Sequence, residues 1–557
     1  MASTYFTPGT VVASTWLNDV NKVVYYNEIN AATYFTEAEL VAIKAYTYSI
    51  DCTAKLQQAM DDAYAAETTL YLPSGGYLVT GLTIPGTNDI TGKANRFSIY
   101  GEGFGEVGVI ASANKGTLLK NVSNAPIFKY TTSTPGIANS NGEVEISCLG
   151  MWGTSSTPII DLDTFFGLCS LHHNNIAQSG TGSGVTIGWG ATYDIHHNYI
   201  VGASYTLSGL GAARTGIGIY VEQDLNSSGL QIIRQNTSAG WHTAYKLGSG
   251  TGSAFTYAAS ISMCEAAYCY VGVHLSTTCE GATVSSCYFE GQDAGFCVLD
   301  EGNYNRVKDN WFFFSAGTSA GYTMLSSTTA AKHGSRYEGN IFYLFNIPNC
   351  VGIDVTSSAV DGGPGKVVSR NHFILSAGTA GVIGLRINGV DPRIEVTSND
   401  FQPAGAWTGS GTYSIRNLST ASDTTTGTGV YGLSQAVSRN QNLKVPQVSR
   451  GAVNLAVEPD VLDNTDVAAG VLTLGELSVY TFTPTSNVAI TQFDAPNLPD
   501  KTFSVHVTAT AYTVTFTNGT KLKLTGSSNI ATGANGAWLT FQVKPGGVAW
   551  LTSHVAY

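Results

Sequence analysis

Along this chain a six-residue pattern of apolar and polar positions returns ten times. It runs as an aliphatic residue, two variable residues, a small polar residue, one more variable residue, then usually an apolar or aromatic one. The clearest copies are Ile195-His-His-Asn198-Tyr-Ile200, Val307-Lys-Asp-Asn310-Trp-Phe312, Val368-Ser-Arg-Asn371-His-Phe373 and Val396-Thr-Ser-Asn399-Asp-Phe401. Looser copies put Asn174, Asn236, Asn340 and Asn440 in the polar slot, and Cys264 and Cys287 fill it in two more. From Asn174 to Asn440 is 266 residues over nine steps, a period of about thirty. A period in that range marks a stacked repeat in which each unit buries its apolar face against its neighbours.

Between the slots lies a second pattern, Gly-apolar-variable-apolar. Gly218-Ile-Tyr-Val221, Gly272-Val-His-Leu275, Gly295-Phe-Cys-Val298, Gly321-Tyr-Thr-Met324 and Gly352-Ile-Asp-Val355 carry it. Period-two alternation points the apolar members inward and the variable member outward. Each coil therefore has at least two strands and a Gly-rich turn, and the fold class is all-β, a parallel β-helix. Asn residues at one corner of successive coils can bond to the copies above and below, which satisfies their amides.

The ends read differently. Residues 1–48 form a polar leader that includes Trp16-Leu-Asn-Asp-Val20. Asp51-Cys-Thr-Ala-Lys-Leu-Gln-Gln-Ala-Met-Asp-Asp-Ala-Tyr64 predicts a helix with Leu56, Met60, Ala63 and Tyr64 on one face and Asp51 or Thr53 as N-cap. An open solenoid end exposes unpaired backbone, and this helix is placed to cap it. Residues 49–445 are the β-helix. After a linker at Lys444-Val-Pro-Gln-Val-Ser-Arg450, residues 446–557 hold short alternating strands such as Leu477–Phe482, Phe503–Thr508 and Tyr512–Phe516. Turns at Thr517-Asn-Gly519 and Ala534-Asn-Gly536 predict hairpins and a small C-terminal β-sandwich.

The leader with its Trp16-Leu-Asn-Asp-Val, the segment Phe35-Thr-Glu-Ala-Glu-Leu-Val-Ala-Ile-Lys44, the cap helix, Leu72-Pro-Ser-Gly-Gly-Tyr77 and Phe97-Ser-Ile-Tyr-Gly-Glu-Gly-Phe-Gly105 resemble bacteriophage tailspikes with a pectate-lyase-like right-handed β-helix. As organisation the resemblance covers about residues 10 to 440, and its motifs lie mainly in 10 to 105. It implies a right-handed winding, a homotrimer, a place on the phage tail, and binding and cleavage of a bacterial surface polysaccharide, capsule or O-antigen, outside the host cell. It supplies no catalytic residues, because they differ from member to member. The leader has little apolar periodicity and is expected to dock to another virion protein.

Composition narrows the partners. Charged residues are 12% of the 557, Gly reaches 63 copies, and the net charge is −12, which argues against nucleic acid. The first residues show neither the basic start nor the apolar core of a signal peptide, and no apolar run approaches the ~20 residues of a membrane span. The nine cysteines include no C-x-x-C pair and read as buried thiols outside any disulfide frame. No cofactor is expected.

Chemistry concentrates in the middle coils. Aligning Cys264 with Cys287 puts Glu265, Tyr288 and Trp311 in one outward slot of three successive coils. Glu290 follows two residues further on, outward again, with Asp293 in the turn beyond. Two or three carboxylates on one face are what glycoside hydrolysis requires: one protonates the leaving oxygen, and another attacks or activates water. Tyr288 and Trp311 offer ring faces to sugars. Glu265, Glu290 and Asp293 are thus the candidate catalytic residues. On the Gly-headed strand, outward Lys246 and His274 with Tyr220 could instead remove a proton beside a uronic carboxylate, as a lyase does, or form a plain polar stripe. Asp300 and Glu301 follow the Gly295 copy of that strand in turn-like sequence and count as substrate-binding or solvated groups, while Glu222 and Asp224, after the Gly218 copy, form a competing acidic cluster. His172-His173 and His196-His197 recur 24 residues apart; without a third ligand at fixed spacing they read as a histidine ladder, and no metal is assigned. Gly317-Thr-Ser-Ala-Gly321 mimics a nucleophile elbow, but a strand follows it, so Ser319 is a turn residue.

Overall fold

The computed structural model describes residues 28–85, 96–103, 116–130, 142–162, 167–188, 192–203, 214–222, 231–250, 256–290, 295–313, 322–327, 333–344, 348–356, 365–376, 379, 381–388, 394–404 and 413–417, then 460–474, 479–494, 502–508, 511–524, 528–532, 536–544 and 548–556. Among these residues the first unit forms three long parallel sheets of 13, 12 and 12 strands. The first sheet runs from Glu28–Asn30 to Ile394–Thr397, the second from Gly75–Val79 to Asp400–Ala404, the third from Leu82–Thr83 to Tyr413–Asn417. Successive coils contribute one strand to each, as Thr192–His196, Tyr199–Val201 and Ile217–Val221 do. This is a parallel β-helix whose coils are built on three strands, with a fourth short strand (Thr256–Tyr257 paired with Cys279–Glu280) in two of them.

The corner between the first and second sheets explains the repeated Asn. The residue before the slot has positive φ in ten coils: Cys148, His173, His197, Gln235, Met263, Ser286, Asp309, Gly339, Arg370 and Ser398. Only one of these is glycine, and the left-handed conformation costs the others roughly 1–2 kcal/mol each. The slot residue offsets that strain. Asn310 Nδ2 donates to Val284 O at 3.0 Å and to Asn340 Oδ1 at 3.0 Å, while Asn340 Oδ1 also accepts from Asn310 N at 3.1 Å. Asn174, Asn198 and Asn236 form the same chain above, and Asn340, Asn371 and Asn399 continue it below. Cys264 and Cys287 interrupt it as buried thiols, with Cys287 N donating to Asn310 Oδ1 at 2.9 Å. Asn440 lies outside the described residues.

Inside, Phe289, Phe312, Phe342, Phe373 and Phe401 stack with centroids 5.0, 4.6, 4.9 and 4.7 Å apart. The glycine heading the third-sheet strand makes room for them. A Cβ at Gly272 would meet the Phe289 ring at 2.7 Å, and one at Gly352 the Phe373 ring at 2.9 Å. The pattern read from sequence holds for Gly218, Gly272 and Gly352 but slips elsewhere. Val298 and Leu299 pair with Val273 and His274, so Cys297 stands level with Gly272, not Gly295. Leu325 pairs with Ile353, so Met324 stands level with Gly352, not Gly321.

At the N-terminal end the solenoid starts inside the segment read as leader, because Glu28–Asn30 pairs with Thr69–Tyr71. Helix α1 (Glu37–Lys44) opens with a capping box between Thr36 and Glu39, which hydrophobic patterning alone does not single out. Helix α2 (Thr53–Ala65) buries Leu56, Ala59, Met60 and Ala63. Its N-cap is Cys52 and not Asp51 or Thr53, with no side-chain cap bond, although Asp51 Oδ1 accepts from Thr53 N at 2.9 Å just ahead of the helix. Tyr64 stays half-exposed.

The second unit has a separate core built on Phe493, Phe503, Phe516 and Phe541. Its pairing differs from the hairpins that the Asn-Gly turns predict. Asp460–Leu462, Val479–Phe482 and Thr502–Val507 are successive parallel neighbours. Val514–Phe516 and Leu522–Lys523, on either side of Asn518-Gly519, belong to different sheets. The long antiparallel partners are Ala537–Lys544 and Val548–Ala556. The linker at 444–450 lies outside the described residues.

Candidate functional site

The second sheet carries the middle-coil carboxylates. Glu265 pairs with Tyr288 and Tyr288 with Trp311, while Glu290 pairs with Ala267 above and Phe313 below. Glu265 and Glu290 are therefore diagonal neighbours, one strand spacing and two residues apart, which places their Cα atoms on the order of 8 Å from each other. That is within reach of either glycosidase geometry, whose carboxyl separations run from about 5 to about 9.5 Å. Thr237 Oγ1 donates to Glu265 Oε2 at 3.1 Å and orients it. Tyr288 sits between the two acids. Burial, then the Glu290 carboxylate to which its phenol is hydrogen-bonded, then Glu265, all push its pKa up. Its ring meets Trp311 edge-on at 6.2 Å, and Trp311 is 50% exposed. Asp293 lies outside the described residues.

The third sheet carries a different group. Tyr220, Lys246 and His274 stack in register on its outer face. Lys246 Nζ lies 4.7 Å from the Tyr220 ring centroid, and burial draws its pKa down against the opposing pull of Glu222 and Glu301. His274 Nε2 donates to Glu301 Oε2 at 2.7 Å, and this bond holds the carboxyl below its usual range. His242 stacks on Tyr270 at 5.0 Å; its pKa is lowered by burial, then by His274 and Lys246. Lys246, His274 and Glu301 thus form one acid–base cluster on a different face from Glu265 and Glu290. Asp224 and Ser319 lie outside the described residues.

Asp300 does not join either group. It pairs with Leu275 in an inward column and is completely buried. Its Oδ1 accepts from Asn305 Nδ2 at 2.7 Å and Gly302 N at 3.1 Å, and its Oδ2 from Tyr337 at 2.8 Å. The expected solvated loop is replaced by an interior network, since a buried carboxylate must have its lone pairs satisfied. The slipped register of the Gly295 copy hid this.

The four histidines form a ladder. His172 stacks on His196 and His173 on His197, both at 4.9 Å, and His172 Nε2 donates to Glu145 at 3.1 Å. Among the described residues no three His, Cys, Asp or Glu converge as a metal site.

No family model and no curated protein matches the chain. Among solved structures it is similar to DFA-IIIase from Arthrobacter chlorophenolicus A6, at 15% identity over 63% of this chain and 84% of that one, TM-score 0.41. It is similar also to the enzymatically active domain of tailspike protein 2 of bacteriophage CBA120, at 13% identity over 67% and 44%, TM-score 0.32. A third is the A-module of a mannuronan C-5 epimerase from Azotobacter vinelandii, at 12% identity over 68% and 99%, TM-score 0.32. Such values leave the functional reading to the residues of this chain.

Proposed function

We propose that this chain is a phage tailspike that binds and depolymerises a bacterial surface polysaccharide, capsule or O-antigen, by glycoside hydrolysis on the outer face of the second sheet. The observation that carries the reading is the diagonal pair Glu265 and Glu290, bridged by Tyr288 and flanked by half-exposed Trp311. In such a pair one carboxyl protonates the leaving oxygen, and the other attacks the anomeric carbon or activates water. Tyr288 stands two residues before Glu290 on the same strand, and the Glu290 carboxylate pushes the pKa of its phenol up. Asp293 is a third candidate acid. The right-handed winding, the homotrimer, the C-terminal sandwich with a role in trimerisation or glycan binding, and docking of the leader to another tail protein rest on the sequence resemblance and belong to the same proposal.

The test is Glu290→Gln with purified capsule and O-antigen as substrates. Turnover should fall about 10²–10⁴-fold, because an amide cannot deliver a proton, while glycan binding and thermal unfolding stay unchanged. Full activity in Glu290→Gln and Glu265→Gln alike would overturn the assignment.

A second reading is favoured by the bond between His274 and Glu301 and by the lowered pKa of Lys246. A lysine whose ammonium is disfavoured by burial, set beside a histidine, is a candidate base for the proton abstraction that begins β-elimination on a uronic acid. Products with an ultraviolet-absorbing unsaturated end, lost in Lys246→Met, would favour it. Binding without any change in glycan size would identify an adhesin.

A further inference from the structure

The outer face of the second sheet changes character at the carboxylates. Towards the N-terminal coils, the column that leads to Glu290 holds Val201, Ala239 and Ala267, small and buried. Towards the C-terminal coils the same column becomes Phe313, Tyr343 and Ile374. The neighbouring column, from Glu265, continues through Tyr288 and Trp311 to His372 and Asp400. Phe313 and Tyr343 are half-buried with rings 5.4 Å apart. One coil below Tyr343 lies His372 and two below lie Asp400 and Gln402; His372 Nδ1 and Gln402 Nε2 both donate to Asp400 Oδ2 at 3.0 Å.

Building on the hydrolytic reading, we infer that the polysaccharide lies along this face from the carboxylates towards the C-terminal coils, with Trp311, Phe313 and Tyr343 as ring platforms, and that it is a glycan without acidic sugars. The lattice supports the direction. Coils follow one another at the ~4.8 Å strand spacing, and a pyranose in an extended chain advances by a similar step, so an axial glycan meets about one coil per sugar. Ring faces suit the C–H faces of sugars, and the His372–Asp400–Gln402 group supplies donors and acceptors for hydroxyls at the far end. Charge supports the class. From Glu265 to Gln402 the two columns carry Glu265, Glu290 and Asp400 and no lysine or arginine. A polyuronate laid there would put its carboxylates against like charge with no lysine or arginine in either column to pair them.

The experiment measures binding of the full-length protein to neutral and to uronate-containing bacterial polysaccharides of matched size, in the Glu290→Gln background so that substrate survives. Neutral glycan should bind, and Trp311→Ala or Tyr343→Ala should weaken it about tenfold or more, with longer chains losing most. Tyr343→Phe, which keeps the ring, should retain affinity and exclude a mere folding defect. Unchanged affinity in Tyr343→Ala, or uronate bound as well as neutral glycan, overturns the inference even where Glu290→Gln has abolished cleavage and the hydrolytic reading stands. A change of molecular mass in Trp311→Glu would make the face a contact between copies of the chain and would also overturn it.

Discussion

Lys366 stands in a solenoid interior where its register partner in the next coil is Ile394. Its ammonium is buried and donates to Ser327 O at 3.0 Å, Ser327 Oγ at 2.9 Å and Thr356 O at 2.7 Å. Burial, only partly opposed by Asp300, draws its pKa from 10.5 to about 8. Between that value and the unfolded one, the unfolded chain holds a proton that the folded chain has released, so stability rises with pH across this window. Below pH 8 the full cost of burying the charge is present. Raising the pH from about 7.5 to about 9.5 should therefore stabilise the β-helix by about 2 kcal/mol relative to Lys366→Met. Denaturant titration of both proteins at the two pH values checks this, and parallel curves would refute it. At this scale the sequence was legible where a repeat fixed the register: Glu265, Tyr288 and Trp311 follow a slot residue, and their alignment came through. Asp300 and Lys366 were not legible, because a turn glycine imitated a strand-head glycine and an inward lysine leaves no trace in a hydrophobic pattern.

A whole corner depends on each slot residue. Removing one amide from the ladder deprives the coil above of an acceptor for both a backbone and a side-chain donor, as Asn340 Oδ1 serves Asn310 N and Nδ2. A buried donor left unpaired costs about 1–3 kcal/mol, so Asn340→Ala should lower the unfolding free energy by at least that much. Cys287→Asn should instead be neutral or stabilising, since the slot above Asn310 already supplies a backbone N–H to it. Thermal unfolding of the two variants distinguishes them, and equal losses would mean that the ladder is incidental. The ladder and the cap helix could be read beforehand because both are local and periodic. The parallel pairing of Val479–Phe482 with Thr502–Val507 could not. Short alternating strands look alike in either direction, and an Asn-Gly turn fixes its own geometry without choosing the sheet of the next strand.

At the scale of the whole molecule, the steps of the solenoid range from 23 residues between Cys287 and Asn310 to 38 between Asn198 and Asn236, with the corner unchanged. Length is absorbed between strands, which leaves the outer faces free to diverge. A long solenoid with flat sides favours cyclic packing, and attachment through several copies multiplies weak glycan contacts. Light scattering of the full chain should return three times its 58.5 kDa mass, whereas a stable monomer at micromolar concentration would remove the trimer from the proposal.

None of the nine cysteines is in a disulfide, and all but Cys148 are buried. They are strung along the solenoid, from Cys52 under the cap through Cys169 and the group between Cys264 and Cys297 to Cys350. Burial raises the Cys169 and Cys350 thiols far above their usual range, so in the native state they are both shielded and protonated. Each buried thiol becomes reactive only when its own coil opens. The order in which they take up an alkylating reagent in mild denaturant would therefore record where along its length the β-helix begins to unravel.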